Sequence, residues 1–342
     1  MPGIIGMANT YNTPNFVGEL FAVTPTDTPF LSAIDGLTGG EDTTSTTFQW
    51  QAYDLRSPDA HRQRLEGAAP PDPEHRVRWN VRNIVEIHQE AIDVSYTKQA
   101  AIGQYASTGS PNRDAAGLAG ANPVTNEVQF QIQRQLEQIA RDIEVSFLTG
   151  RLHEPVDNTE PRRTRGLLDA IETNTIRHPE ATPLSETMVL DLCQSVWENG
   201  GIQVSDTATL LVNAWQKRQL TELFITRKHY RELSRTVGGV AVQTIETDFG
   251  QLGIMLDRHM PRDTLALVSL EQCTPVFLRI PDRGFLFVEP LAKTGSRDDY
   301  QLYGEIGLKW GNERAHGTIT GLTAGPAAPK AEAAKPTRVA RG

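Results

Sequence analysis

The most constraining feature of this chain is a pair of alternating segments separated by a polar loop. Residues 44–56 alternate between apolar and polar side chains, with Phe48, Trp50 and Ala52 on one side. Such alternation predicts a half-exposed β-strand. Residues 77–94 alternate in the same way, and the loop between the two segments is rich in proline. The sequence therefore predicts a long β-hairpin.

The predicted hairpin is too long to fold back easily within a compact body. Its first strand would reach roughly 40 Å at about 3.3 Å per residue, whereas a globule of this length has a radius of gyration of about 20 Å. A two-stranded ribbon is also only marginally stable in water. We therefore expect the hairpin to project and to bury Trp50 and Trp79 against another copy of the chain. The alternative, a hairpin packed on its own core, stays open.

An acidic arm precedes the hairpin. Residues 1–42 contain Thr-Pro and Gly-Gly steps around short apolar pieces, which favours an extended segment. We expect such an arm to engage another surface. The first basic residue of the chain is Arg56, and the acidic residues before it are Glu19, Asp27, Asp35, Glu41, Asp42 and Asp54.

One strong helix is predicted from about residue 126 to residue 149. Apolar residues recur there every three or four positions, which places them on one stripe of an α-helix. Asn126 or Thr125 is suited to cap its start, and Gly150 is suited to end it. The stripe consists of Val128, Ile132, Leu136, Ile139, Ile143 and Phe147.

The second half of the chain is predicted to form one α/β unit followed by return strands. Apolar patterns predict helices at 185–199 and 214–225. After Leu322 the chain is rich in Ala, Pro, Gly and Lys, which predicts a disordered, slightly basic tail. The predicted strands are 209–212, 240–246, 252–256, 265–270, 276–280, 285–288, 300–310 and 318–320.

Net charge argues against a dedicated nucleic-acid-binding protein. The formal charge is −9 and the isoelectric point is near 5.4, whereas such proteins carry a strongly basic face. One basic loop, with Arg162, Arg163 and Arg165, could contact a phosphate or pair with another subunit, and both interpretations stay open.

Targeting signals and cysteines point to a reducing compartment. The N-terminus lacks a basic segment followed by an apolar stretch, and no apolar run reaches the roughly 18 residues of a membrane span. Cys193 and Cys273 lie in apolar runs, which predicts buried thiols and no disulfide. We expect a protein that is neither exported nor inserted into a membrane by its own signals.

A search for catalytic or metal-binding motifs finds no convincing site. The nucleotide-binding, zinc-protease and nucleophile-elbow motifs are absent, and the eight histidines lack metal-ligand spacing. Asp257 and His259, the nearest approach to a ligand pair, fit a polar turn better. The sequence predicts no catalytic, cofactor-binding or metal-binding residue, and no cofactor.

Three short segments nevertheless match the motif order of the serine acyl-transferases that open β-lactam rings. They are Ser95-Tyr96-Thr97-Lys98, Ser205-Asp206-Thr207 and Lys293-Thr294-Gly295. Thr207 stands where that pattern requires Asn, and Ser95 ends a strand pattern where the motif should open a helix. Such an enzyme is kept as the alternative hypothesis.

Five segments, together with the order arm, hairpin, helix, α/β unit and return strands, are similar to parts of one known family. They are Thr28-Pro29-Phe30-Leu31-Ser32-Ala33-Ile34, Arg165-Gly166-Leu167-Leu168, Val212-Asn213-Ala214, Thr247-Asp248-Phe249-Gly250 and Gln301-Leu302-Tyr303-Gly304-Glu305. The chain, from about residue 8 to residue 322, resembles the major capsid proteins of tailed phages, which have the α+β Hong-Kong-97-type fold.

The resemblance implies a division of the chain into named parts. In this fold the long helix is the spine of the P-domain, and the hairpin is called the E-loop. The implied parts are an extended N-terminal arm (1–42), the E-loop (43–95), the P-domain with its spine helix (96–185), the A-domain (186–274), return strands of the P-domain (275–322) and a disordered tail (323–342).

The resemblance also implies a structural function and no enzymatic one. Copies would assemble in the host cytoplasm as hexamers and pentamers and close an icosahedral virion shell around phage DNA, through repeated heterologous contacts. Scaffolding, portal and decoration proteins are further expected partners. The packaged DNA would be contacted weakly and without specificity, and no membrane is involved. Some members of the family are covalently crosslinked, but no residue pair can be assigned here.

Assembly contacts are expected from the arm and the hairpin. Exposed ion pairs contribute only about 0–1 kcal/mol each, so the charged residues would mainly orient neighbouring copies. The two tryptophans would supply apolar burial. The expected interface residues are Glu41, Asp42, Trp50, Arg56, Arg62, Arg64, Arg76, Arg78, Trp79 and Arg82.

Overall fold

The computed structural model describes residues 26–100, 126–202, 208–226, 233–237 and 240–326. In chain order the helices are α1 (Pro29–Ala33), α2 (Tyr96–Ala100), α3 (Glu127–Thr149), α4 (Leu167–Ala170), α5 (Glu186–Glu198) and α6 (Ala214–Leu220), the last continued by a π-helical turn, Thr221–Thr226. The strands are β1 (Glu41–Thr43), β2 (Thr47–Tyr53), β3 (Arg78–Ile84), β4 (Glu86–Ser95), β5 (Thr175–Thr182), β6 (Ala208–Val212), β7 (Leu233–Val237), β8 (Val240–Thr247), β9 (Gly250–Leu256), β10 (Leu265–Ser269), β11 (Thr274–Leu278), β12 (Leu286–Pro290), β13 (Arg297–Lys309) and β14 (Gly317–Leu322).

The chain divides into two compact units, and each unit uses two separate stretches of sequence. The first unit consists of Met1–Asp169 and Gln272–Asn312, and the second of Ala170–Glu271 and Glu313–Gly342. The predicted tail lies outside the described residues from residue 327 onward.

The long strand β13 organises the sheet of the first unit. β4 runs antiparallel to it, from Ser95 opposite Arg297 to Glu86 opposite Ile306. β11 and β12 also pair with β13, and β1 adds to β11 in parallel. One strand near the end of the chain therefore holds together segments that are far apart in sequence.

The predicted spine helix is confirmed as α3. The Asn126 side chain caps its start by accepting a hydrogen bond from the Gln129 amide at 3.2 Å. The C-terminal part of the predicted stripe, Ile139, Ile143 and Phe147, is buried. The N-terminal part of the stripe is only half-buried. The core of the first unit thus forms around the second half of the helix.

The second strand of the predicted hairpin is not continuous. β2 pairs with β3, from Thr47 opposite Ile84 to Tyr53 opposite Arg78. At Val85, which is fully buried, the strand is interrupted, and β4 then pairs with β13 instead of β2. The prediction of one strand over 77–94 is therefore wrong, because core packing at Val85 separates two strands. The paired ribbon is roughly 23 Å long at about 3.3 Å per residue.

Part of the predicted extended arm is folded. Residues 1–25 lie outside the described residues, but Pro29–Ala33 forms α1, with Phe30 and Leu31 buried. Glu41–Thr43 is strand β1. The prediction of an extended segment is wrong over Pro29–Ala33, because this short apolar piece reaches the core of its own unit, whereas Glu41–Thr43 is extended and pairs with β11.

The second unit contains a seven-stranded sheet with the order β5-β14-β10-β6-β9-β8-β7. Helix α5 confirms the helix predicted at 185–199, and its side chains Leu192, Cys193 and Val196 are fully buried. Strands β5 and β7 were not predicted. Strand β14 pairs with β5 and β10 here, whereas residues 275–322 were expected to return together to the P-domain.

Both cysteines are buried thiols, as predicted. Burial raises the pKa of the Cys193 thiol to about 12, so this group stays protonated at neutral pH. A protonated, enclosed thiol is a poor nucleophile. Cys193 therefore acts as a small apolar residue of the core.

Gly307 provides a test of how the ribbon is seated on β13. A Cβ at this position would lie 2.7 Å from Phe48 Cε1 and 2.8 Å from the Ile84 carbonyl oxygen. Overpacking a core typically costs about 1–3 kcal/mol, so we expect Gly307→Ala to lower the free energy of unfolding by that amount in denaturant titrations. Gly295→Ala, where a Cβ meets open space, is the matched control. Equal midpoints for the two variants would contradict the close packing of Phe48 on Gly307.

Candidate assembly interface

The apolar face of the β2–β3 ribbon is buried at its base and exposed further out. Trp50 lies opposite Val81, and Ala52 lies opposite Trp79, so these residues share one face with Phe48. Phe48 is buried, whereas 46% of Trp79 is exposed. The ribbon therefore carries an aromatic surface that its own unit covers only in part.

Trp50 packs inside its own subunit. It is half-buried, and its indole N–H donates to the Gly311 carbonyl oxygen at 2.7 Å. The Trp310 ring meets it edge-on at 5.0 Å between centroids. These contacts favour the interpretation in which Trp50, at the base of the hairpin, packs on the core of its own subunit and not against another copy.

Asn83 fixes the base of the ribbon. Its side chain is fully buried, and Nδ2 lies 3.0 Å from Thr164 Oγ1, 3.0 Å from the Arg165 carbonyl oxygen and 2.6 Å from that of Leu308. Oδ1 accepts from the amides of Ile84 and Arg165, both at 2.9 Å. The ribbon, the loop after α3 and strand β13 thus meet at one amide group.

Glu86, at the start of β4, adds an ionised group to this junction. Its carboxylate contacts His88 Nε2 at 2.9 Å and accepts from the Thr164 amide at 3.0 Å. Burial raises the pKa of Glu86, but hydrogen bonds from His88, Ser146 and Thr164 outweigh it, and the net pKa is lowered. Glu86 is therefore held ionised in a partly enclosed site.

The end of the ribbon is exposed and carries apolar side chains. Residues 54–77 contain no helix or strand. Leu55 is 67% exposed, Leu65 85% and Val77 74%. Exposed apolar patches are typical of surfaces that bind a partner, so this end of the ribbon is a candidate interface.

Three of the predicted interface arginines gather on one carboxylate at this end. Glu74 lies 2.7 Å from Arg76 and 3.6 Å from Arg56, and it also pairs with Arg62. Arg62 also lies 3.9 Å from Asp59. The three guanidinium groups therefore form a small ion-pair network with two carboxylates.

The remaining predicted interface residues have partners on or near the ribbon. Arg78 donates to Gln51 Oε1 at 3.1 Å, and Arg82 pairs with Glu154 at 3.1 Å. Arg64 is exposed. The acidic pair is engaged nearby in the same unit: Glu41 contacts Lys309 at 2.6 Å, and Asp42 lies 3.9 Å from Arg279.

Two of the three arginines of the basic loop are neutralised within the first unit. Arg162 pairs with Glu305 at 2.7 Å, and Arg165 pairs with Asp169 at 2.9 Å. Arg163 is exposed. A guanidinium that already holds a carboxylate has less to offer a phosphate, so this loop is a weak candidate for nucleic-acid contact.

The structure brings together two of the acyl-transferase-like segments. The Tyr96 amide donates to the Ser296 carbonyl oxygen at 3.2 Å, and Lys293 Nζ lies 3.2 Å from Tyr96 Oη. Lys98 pairs with Glu127 at 2.8 Å. Hydrogen bonds that Lys293 donates to Asp298 and Tyr96 raise the pKa of Lys293 further above its ordinary value. Lys293 is therefore not placed to act as a neutral base, and residues 205–207 lie outside the described residues.

No other chemistry-bearing cluster emerges from the described residues. Asp257 Oδ1 accepts from the His259 amide at 2.7 Å, which makes the pair a polar turn, as predicted. No group of His, Cys, Asp and Glu in the described ranges could hold a metal ion. None of the described helices is long and apolar enough to cross a membrane.

Sequence reasoning missed the buried polar residues that hold the first unit together. Neither Asn83, in the predicted second hairpin strand, nor Glu144, on the spine helix, was singled out from the sequence. Glu144 lies three and four residues before Phe147 and Leu148, and all three are buried. An acidic residue among apolar positions of one helix face was the available signal.

Solved structures with the same fold come from phage capsids and an encapsulin. The capsid of cyanophage A-1(L) matches with a TM-score of 0.62 at 13% identity, over 90% of this chain and 97% of that chain. The capsid of an empty GTA particle gives 0.57 at 12% identity, over 93% and 98%. The SrpI encapsulin of Synechococcus elongatus gives 0.54 at 12% identity, over 95% and 97%. The predicted α+β, Hong-Kong-97-type fold is confirmed.

The family is established by sequence. The chain matches the SU10 major capsid protein family over residues 3–323 and belongs to that family. The predicted identification as a phage major capsid protein, a structural component of the virion, is thereby confirmed. No curated protein matches the chain in sequence.

The Glu86 junction predicts a stability that depends on pH. Because the pKa of Glu86 is lowered from 4.5 in the folded state, its stabilisation is complete above that ordinary value and is lost as pH falls through the lowered folded-state pKa. Glu86→Gln should therefore unfold more readily than the parent at pH 7, and the two proteins should converge in acid. Denaturant midpoints measured from pH 7 to pH 3 test this. A constant difference across that range would contradict it.

Proposed function

We propose that copies of this chain assemble into hexamers and pentamers that close an icosahedral shell around phage DNA. The observation that carries the proposal is the ribbon, whose base is fixed in the first unit while its outer end exposes Trp79, Leu65 and Val77. A two-stranded ribbon has little stability of its own. Burial of its outer end against a neighbouring copy supplies the missing contacts and links subunits at the same time.

We assign the parts of the chain as the family resemblance implies. The ribbon supports an E-loop within residues 43–95, and α3 supports a P-domain spine within 96–185. The strands and helix of the second unit support an A-domain within 186–274. The N-terminal arm, 1–42, the return strands β11, β12 and β13 within 275–322, and the tail, 323–342, complete the assignment, whereas β14 joins the sheet of the second unit.

Apolar contacts of the E-loop are expected to contribute more to assembly than ion pairs. Burial of apolar surface is worth about 25 cal/mol per Å², whereas an exposed ion pair contributes about 0–1 kcal/mol. Glu41 and Asp42 already have basic partners in their own unit, so a neighbour's arginines would compete for them. The charged residues then set the register of neighbouring copies, and burial of the aromatic and aliphatic residues stabilises the contact between the copies.

The remaining roles follow from the same assignment. The shell subunit carries no enzymatic activity and needs no cofactor. Its acidic net charge, −9, keeps contact with packaged DNA weak and non-specific. Scaffolding, portal and decoration proteins join the self-assembled subunits, and assembly takes place in the host cytoplasm.

Electron microscopy with sedimentation tests the proposal directly. The purified chain is examined alone and after expression with its neighbouring genes. Closed shells, or hexameric and pentameric rings, are the expected products. A monodisperse monomer or dimer under both conditions would overturn the proposal, and labelling of Ser95 by a β-lactam probe would then favour the acyl-transferase alternative.

The two ribbon tryptophans should separate folding from assembly. Trp79→Ala removes a half-exposed ring, so we expect the free subunit to unfold within about 0.5 kcal/mol of the parent while shell yield falls sharply. Trp50→Ala removes an indole hydrogen bond and a ring contact from the base, and we expect it to destabilise the free subunit by about 3 kcal/mol or more. Denaturant titration and sedimentation measure the two effects. If Trp79→Ala formed normal shells, the prediction that Trp79 lies in the interface would be wrong.

Reversal of charge on the ribbon tests the role of its arginines. The double variant Arg76→Glu, Arg78→Glu should lower shell yield and make it depend more strongly on salt, because like charges now meet across the contact. The double variant Arg151→Glu, Arg177→Glu, at two exposed positions away from the ribbon, controls for the change in net charge. Shell yields that match the parent at low and high salt would exclude these arginines from the contact.

A further inference from the structure

A buried carboxylate on the spine helix holds the start of α1. Glu144 is fully buried. Its oxygens accept hydrogen bonds from the backbone amides of Phe30, at 2.8 Å, and Leu31, at 2.6 Å, which lie 114 and 113 residues away in sequence. The side chain therefore connects the end of the N-terminal arm to the core of the first unit.

This carboxylate completes the capping of α1. The first N–H groups of a helix have no partner within the helix. Thr28 precedes α1 without forming a side-chain cap, and the residue after it is a proline, which has no N–H. The Ser32 amide donates to the Thr28 carbonyl oxygen at 3.0 Å. The two amides that remain are those bound by Glu144.

Docking of α1 and burial of the Glu144 carboxyl group are coupled. A polar group in a core is tolerated only while hydrogen bonds compensate the loss of water. Movement of α1 away from α3 would remove two such bonds and expose the buried rings and side chains of Phe30, Leu31 and Ile34. The segment consequently has one strongly preferred position.

We propose that Glu144 is a positioning residue for shell assembly. It fixes residues 28–36 of the arm on α3. This segment lies between the first 27 residues of the arm and strand β1, which leads into the E-loop. The Gly36 amide, which donates to the Leu31 carbonyl oxygen at 2.8 Å, closes the segment at its other end. Glu144 thereby sets where both assembly elements leave the first unit. The inference rests on the proposed function, because it concerns assembly through the N-terminal arm and the E-loop.

The test compares Glu144→Gln with Glu137→Gln on the same helix, where Glu137 is partly exposed and pairs with Arg134. An amide keeps the size of Glu144 but presents an NH₂ group to one of the two backbone amides. We expect hydrogen exchange of residues 28–36 in the free full-length subunit to become roughly tenfold faster or more, while the amides of α3 from 139 to 148 keep their protection. Shell yield in electron microscopy should fall for Glu144→Gln alone.

Three results would overturn the inference. They are unchanged exchange at residues 28–36, equal acceleration throughout the first unit, and normal shells from a subunit whose α1 segment has been released. The parent protein separates this inference from the proposed function. If the parent forms no shells, the proposed function fails, whereas the exchange data still decide whether Glu144 holds α1. If the parent and the Arg76→Glu, Arg78→Glu variant form shells but Glu144→Gln does not, the positioning role stands without the arginine contact.

Discussion

The direction of the β2–β3 ribbon depends on the hydrogen bonds of one buried side-chain amide, that of Asn83. Two paired strands cannot hold a direction by themselves. Asn83 both donates and accepts at the point where the ribbon meets the loop after α3 and strand β13. No aliphatic residue of similar size could supply both functions. Glu86 lies one residue after Val85 and three after Asn83. It extends the same junction through its contacts with Thr164 and His88.

Two opposing demands act along the ribbon. Its base has to be as stable as a core, and Phe48, Trp50 and Gly307 satisfy that demand by close packing. Its outer end has to remain uncovered in the free subunit, and Trp79, Leu55 and Leu65 therefore stay in contact with water. The same alternation of apolar and polar residues runs along the whole ribbon. Whether an apolar residue is buried depends on the other segments that pack against it at its position. A subunit built in this way can fold before it associates.

Local patterns in the sequence were sufficient for the spine helix, for α5 and for the existence of a ribbon, because periodicity and capping residues depend on nearby positions. They could not show that the second ribbon strand breaks at Val85, since alternation says which face is apolar and not which strand is the partner. They also could not show that Trp50 packs on Trp310 or that Glu144 binds α1, because both depend on contacts between residues more than a hundred positions apart. The division of the ribbon into a covered base and an exposed end follows from those same contacts.

The position of β13 in the sequence has a consequence for synthesis on the ribosome. This strand provides the partner for β4, and its end, with Trp310 and Gly311, provides the contacts for Trp50. All of these residues follow the ribbon by more than two hundred positions, so they emerge well after it. The base of the ribbon therefore cannot be fixed until residues 297–311 have been synthesised. Before that point a nascent chain has no ribbon with a fixed direction, and contacts made through the ribbon have to wait for β13.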